Sequence, residues 1–186
     1  MAADQSAAAA AAKAEDQLTR SIAQALGGGS DEDKANAMIQ LAQLIDTSYG
    51  DSADRLCEYL RSSGAVASIA GLLMHSEPAL YQTALLLVGN IASEAVDTQS
   101  SKTKALLQQL GAFQNLLPHL FSNDWLTLVY ALGAIQNNCT EPAYVETMQE
   151  YGCVPRLQQL VKSVTFPAVH CPQHPSHPSH PSHPSY

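Results

Sequence analysis

Hydrophobic residues four apart recur three times behind a glycine. The runs open with Gly64-Ala65-Val66, Gly111-Ala112-Phe113 and Gly152-Cys153-Val154, and carry Ile69 with Leu73, Leu116 with Leu120, and Leu157 with Val161. An interval of four places each pair on one face of an α-helix. The glycines stand 47 and 41 residues apart, and stepping back 47 from Ile69 and Leu73 lands on Ile22 and Leu26. The pattern therefore predicts four copies of one short helix, the first without its leading glycine.

A longer helix is predicted after each of the first three copies. Ala37, Leu41, Ala42 and Leu44 match Ala84, Val88, Gly89 and Ile91 at a shift of 47, and Val88, Gly89 and Ile91 match Leu132, Gly133 and Ile135 at a shift of 44. The small residue between large ones (Ala42, Gly89, Gly133) suits close helix approach. Glycine costs about 1 kcal/mol against alanine inside a helix, so two at one register point to packing. A third, shorter helical run lies at 54–62, 102–110 and 144–151.

Start signals fall in the same frame. Ser76-Glu77-Pro78 and Thr140-Glu141-Pro142 each place a capping hydroxyl two residues before a proline suited to the first helical turn. Ser30 precedes Asp31, Glu32 and Asp33, and Ser122-Asn123-Asp124 precedes Trp125, which puts caps and acidic groups at positive helix ends. Alternating strand patterns are scarce. Helical units of 41 to 47 residues cannot each bury an apolar face alone, so neighbours must stack into a solenoid with one core. The expected core holds Ile69, Leu73, Leu85, Val88, Ile91, Leu116, Leu120, Leu132 and Ile135, with Phe113, Tyr81, Trp125 and Tyr130 packing around it.

Composition narrows the function classes. The 186 residues are 46% hydrophobic and 6% aromatic, with nine Lys and Arg against 17 Asp and Glu, a formal charge of −8. That balance offers no footprint for a phosphate backbone, so nucleic acid is not expected as a partner. No apolar run is long enough to span a membrane. The N-terminus, with Asp4 and alanines at 7–12, does not read as a secretory signal. A cytoplasmic or nuclear location is expected. Cys57, Cys139, Cys153 and Cys171 form no Cys-x-x-Cys pair and read as buried free thiols.

At this point the residues resemble a known family. Residues 64–73 followed by 84–92 look like the armadillo repeat, which has a glycine before its second helix and an Ala-Leu-x-Asn-Leu-like stretch in its third. Gly111-Ala112-Phe113 with 131–135 is similar, and Gly152-Cys153-Val154-Pro155 resembles the Gly-x-Ile-Pro opening. The likeness covers residues 18–163. It implies an all-α, right-handed superhelical solenoid of about three and a half three-helix repeats, whose third helices line a concave groove for an extended partner. Residues 1–17 are then an alanine-rich extension, expected to fray, and residues 164–186 a His/Pro/Ser low-complexity tail, expected to be disordered.

In peptide-binding members of that family, an Asn of the third helix clamps the partner backbone, with a Trp one turn earlier. Asn90 alone falls at the Asn position here. Its equivalents are Gln43 and Ala134, and the positions four before are Ile39, Leu86 and Tyr130. The Asn–Trp ladder of nuclear-import adaptors is therefore not present, while groove binding in general is retained. The groove candidates are Gln43, Asn90, Tyr130 and Asn137; Asn137 and Asn138 also read as the end of the third helix. The expected partner is a protein or peptide, and the acidic balance favours a basic segment.

No enzyme signature is found: there is no Gly-x-Ser-x-Gly turn, phosphate loop or His-Glu-x-x-His pair, and no cofactor is expected. Gly27-Gly28-Gly29 reads as a turn, and His75 and His119 as single residues near the ends of second helices. The alternative function class is metal binding by the tail, where His174, His177, His180 and His183 recur every third residue. In polyproline II that spacing separates neighbours by about 9 Å, too far for one ion to bridge without a sharp bend, so no metal site is assigned. After the fourth short helix the chain gives Phe166-Pro167 and the His-Pro-Ser tract where a third helix is due. The expectation is an array cut short: a fragment of a longer repeat protein, an alternative end, or reading into simple-sequence DNA.

Overall fold

The computed structural model describes residues 2–139 and 143–163, with side chains at 10–139 and 144–163. The helices in chain order are α1 (Ala2–Gly28), α2 (Asp31–Thr47), α3 (Asp51–Ser62), α4 (Ala65–Gly71), α5 (Pro78–Ile91), α6 (Ser100–Gln109), α7 (Ala112–Leu116), α8 (Trp125–Asn138), α9 (Ala143–Glu150) and α10 (Cys153–Ser163). A 3-10 turn at Leu117–Phe121 continues α7, where Pro118 removes an amide donor. Among the described residues there is no strand, and no helix is long and apolar enough to cross a membrane.

The chain is an α-solenoid. Short helices α3, α6 and α9 open the units. Second helices α4, α7 with its 3-10 extension, and α10 follow, and α1 takes that place in the first unit. Third helices α2, α5 and α8 stack in order, α2 on α5 and α5 on α8. Gly64, Gly111 and Gly152 adopt φ of 83°, 66° and 66° between first and second helices, a left-handed turn that a Cβ would strain. The glycine frame is therefore the signature of a turn repeated once per unit. One continuous core runs from Ile22 to Cys153, with Ile69, Leu73, Leu85, Val88, Ile91, Leu116, Leu120 and Ile135 all buried.

Four expectations need correction. Leu132 is only partly buried, since among the described residues no further third helix lies beside α8. Trp125 is 68% exposed rather than packed, whereas Phe113 is buried and meets Tyr144 in a tilted ring contact, with centroids 4.0 Å apart. The cap of α5 is Glu77, not Ser76, and the Glu77 amide donates to Nδ1 of His75 at 3.1 Å. The alanine-rich extension, expected to fray, is helical: α1 runs through the alanines without a break. Alanine's helix propensity lets a helix held at Ile22 and Leu26 propagate backwards. Ser30 and Asp33 do form a capping box, and Asp124 caps α8 through the Thr127 amide at 2.7 Å. The Thr140-Glu141-Pro142 cap and the tail lie outside the described residues.

Candidate partner-binding surface

The three third helices carry matched residues at each register step. One row is Ile39, Leu86 and Tyr130, the first 51% exposed and the others half-buried. One turn further on, Gln43 is exposed, Asn90 half-buried and Ala134 buried. Ala134 is buried because α5 and α8 meet there: a Cβ on Gly89 would stand 3.2 Å from the Ala134 Cα. Helices this close need glycine at the contact, which explains the small residue read from the repeat frame.

The amides of this surface differ in what they have to do. Asn90, between Gln43 and the α8 residues, makes no side-chain hydrogen bond among the described residues. Asn137 is occupied: its Nδ2 donates to the Gly89 carbonyl at 3.0 Å. That carbonyl lies in the last turn of α5, and the amide it would otherwise accept, Ser93 N–H, goes to the Asn90 carbonyl instead. Asn138 is buried and donates to the Ala134 carbonyl at 2.8 Å. Of the four sequence candidates, Gln43, Asn90 and Tyr130 have side-chain donors without a partner among the described residues, and Asn137 spends its donor on holding two repeats together.

Other polar groups are likewise structural. His119 Nε2 lies 2.7 Å from the Leu73 carbonyl, and its ring stacks on Tyr81 at 5.1 Å. Burial holds its pKa below the ordinary imidazole value, partly offset by the Leu73 contact, so the neutral ring donates from Nε2. Arg61 of α3 donates to Asp97, which is wholly buried, to Thr103 Oγ1 at 2.8 Å and to Glu58 at 2.9 Å. Asp54 accepts from the Thr98 amide at 2.9 Å and its hydroxyl at 2.7 Å. These contacts tie α3 to the segment leading into α6, an arrangement the sequence pattern did not reveal because the partners are 36 and 44 residues apart.

The Cys57 thiol beside this pair is pushed up to about 12, first by burial and then by the negative Asp97. Burial also raises the thiols of Cys139 and Cys153. None is poised as a nucleophile. A cleft of about 600 Å³ between α1, α3 and α6 has acidic and basic side chains side by side, Asp16 and Glu58 with Arg20 and Lys102. Its lining favours no single sign of charge.

No family model matches the sequence, and no curated protein does. Among solved structures, the chain is similar to the designed armadillo repeat protein YIII(Dq)4CqI, with a TM-score of 0.62 and 18% identity over 80% of this chain. It spans 58% of the length of that design. The likeness shows the fold: this is an armadillo-type solenoid.

Proposed function

We propose that this chain is a non-enzymatic interaction scaffold that holds an extended, basic segment of a partner protein across α2, α5 and α8. The observation that carries this reading is the half-buried Asn90 amide, which has no side-chain hydrogen bond among the described residues and lies between exposed Gln43 and half-buried Tyr130. An amide offers both a donor and an acceptor, which is what the backbone of an extended peptide requires. Exposed Ile39 and half-buried Leu86 supply apolar contact beside it, and the charge of −8 favours a basic partner. Asn137 contributes by shape alone. A cytoplasmic or nuclear location belongs to the same reading. The alternative, metal binding through His174, His177, His180 and His183, concerns residues outside the described part of the chain.

Fluorescence anisotropy against a panel of extended basic and acidic peptides tests the proposal. Basic peptides should bind, and Asn90→Ala should weaken them at least about fivefold while leaving the melting temperature unchanged. Binding indifferent to Asn90→Ala and Gln43→Ala, or preference for acidic peptides, overturns it.

A further inference from the structure

The stack of third helices has two unlike ends. At the α2 end the outward positions are Asn36, Gln40, Gln43 and Thr47, all polar and exposed. The same register positions inside the stack include Leu87 and Ala131, both fully buried. α2 therefore presents a polar face on this side, of the kind that limits stacking in repeat arrays.

The α8 end has no such face. Met38 on α2 and Leu85 on α5 share one register position and are wholly buried by the next third helix, while Val129 at that position on α8 is 42% exposed. Gly89 at the next step meets α8 backbone within 3.2 Å, and Gly133 at the same step has nothing within 4 Å of where a Cβ would be. Leu126 is 44% exposed one turn earlier. Among the described residues, seven of the twelve large apolar residues with high exposure lie from Phe121 to Val161, so the exposed apolar surface is concentrated towards this end.

We propose that this open face of α8 is where two copies of the chain pair, α8 against α8 of the second copy. Three observations select a second copy meeting the same face. The opposite end is polar, so head-to-tail stacking would set Leu126 and Val129 against Gln40 and Gln43. α8 has no charged residue over its 14 positions, so like faces of a chain with charge −8 approach without local repulsion. Gly133, open on its outer side, lets two helix backbones come as close as α5 and α8 do at Gly89. Contact through one shared face is isologous and closes at a dimer. A helix of 14 residues is about 21 Å long and covers only part of the roughly 800 Å² per partner found in stable complexes. The pairing is therefore a reversible equilibrium in the micromolar range.

Sedimentation velocity on the full chain across that range tests this, with circular dichroism confirming the fold of each variant. The wild type should shift from monomer to dimer and stop there. Val129→Glu should weaken pairing at least about tenfold. Leu126→Gln provides a milder variant that keeps the fold and should weaken pairing in the same direction. Val161→Glu, which places the same charge on the exposed side of α10, should leave pairing unchanged. A monomer at every concentration, open-ended association, or a dimer lost with Val161→Glu and kept with Val129→Glu and Leu126→Gln each overturns the proposal.

Discussion

His119 Nε2 lies 2.7 Å from the carbonyl oxygen of Leu73, and the contact joins one repeat to the next. Leu73 lies just past the end of α4, where helix geometry leaves carbonyls without amide partners. One repeat later the same place is held by Leu120, whose carbonyl accepts from Arg156 Nε at 2.9 Å. The third-helix layer has its own version in Asn137 and the Gly89 carbonyl. Side chains of each following unit thus complete the helix ends of the unit before, so cooperation between repeats rests on polar joints as well as apolar contact.

The His119 joint should make stability fall as pH drops. Its folded-state pKa lies below the ordinary value near 6.5, so on acidification the unfolded chain takes up the proton first. Stability is complete above that ordinary value and is lost progressively as pH falls below it towards the folded pKa. Asp33, Asp54, Glu58 and Asp124 have pKa values below the carboxylate range, which places their losses at lower pH. Thermal melts between about pH 7.5 and 5.5 should therefore show a decline that His119→Gln abolishes. An unchanged slope in that variant would assign the decline elsewhere.

Gly89 and Gly133 should respond oppositely to alanine. At Gly89 the added Cβ meets α8 backbone at 3.2 and 3.3 Å, and backbone yields poorly, so Gly89→Ala should cost about 1–3 kcal/mol despite the gain in helix propensity. At Gly133 there is open space, and Gly133→Ala should stabilise the monomer by up to about 1 kcal/mol. Urea melts of dilute protein measure both. Equal effects at the two sites would mean that the α5–α8 approach is not close.

How much could be read from the chain depends on the range of the interaction. The left-handed turn at Gly64, Gly111 and Gly152 and the cap at Ser30 follow local rules, and the small residues at the third-helix rungs recur in one register, so spacing reveals them. Leu132 and Trp125 were misplaced because burial at their positions requires a neighbouring helix, and periodicity records a helix face without recording what covers it. Asn137 matched a groove residue by type and place, yet its amide is claimed by a carbonyl 48 residues away. The alanines of α1 lack an apolar stripe, which by itself predicts fraying, although a helix anchored further along needs none.

Asn137→Ala should cost more than Asn90→Ala. The first leaves the Gly89 carbonyl without a partner at a helix–helix contact, a loss of about 1–3 kcal/mol. The second removes an amide with no intramolecular bond and should change stability by less than about 0.5 kcal/mol. Chemical denaturation of the two variants side by side checks the order. The reverse order would show that Asn90, not Asn137, holds the repeats together.

The pair Arg61 and Asp97 offers the sharpest stability test. Asp97 is wholly buried and Arg61 is 9% exposed, so neither charge has much water to fall back on. Removing Arg61 strands the Asp97 carboxylate in a poorly solvated site, whereas removing Asp97 leaves Arg61 its contact with Glu58. Arg61→Ala alone should therefore cost about 3–5 kcal/mol, and Asp97→Ala less. Most of that is the penalty of the stranded charge rather than the net worth of the pair, so Arg61→Met with Asp97→Leu should lose far less than the two single changes added together. Thr103 loses its donor in every variant containing a change at Arg61 and contributes equally to those arms. A double-mutant cycle from urea melts measures the difference directly. Additive losses would mean that the two charges act independently, and that the link between α3 and α6 is carried by Asp54 and Thr98 instead.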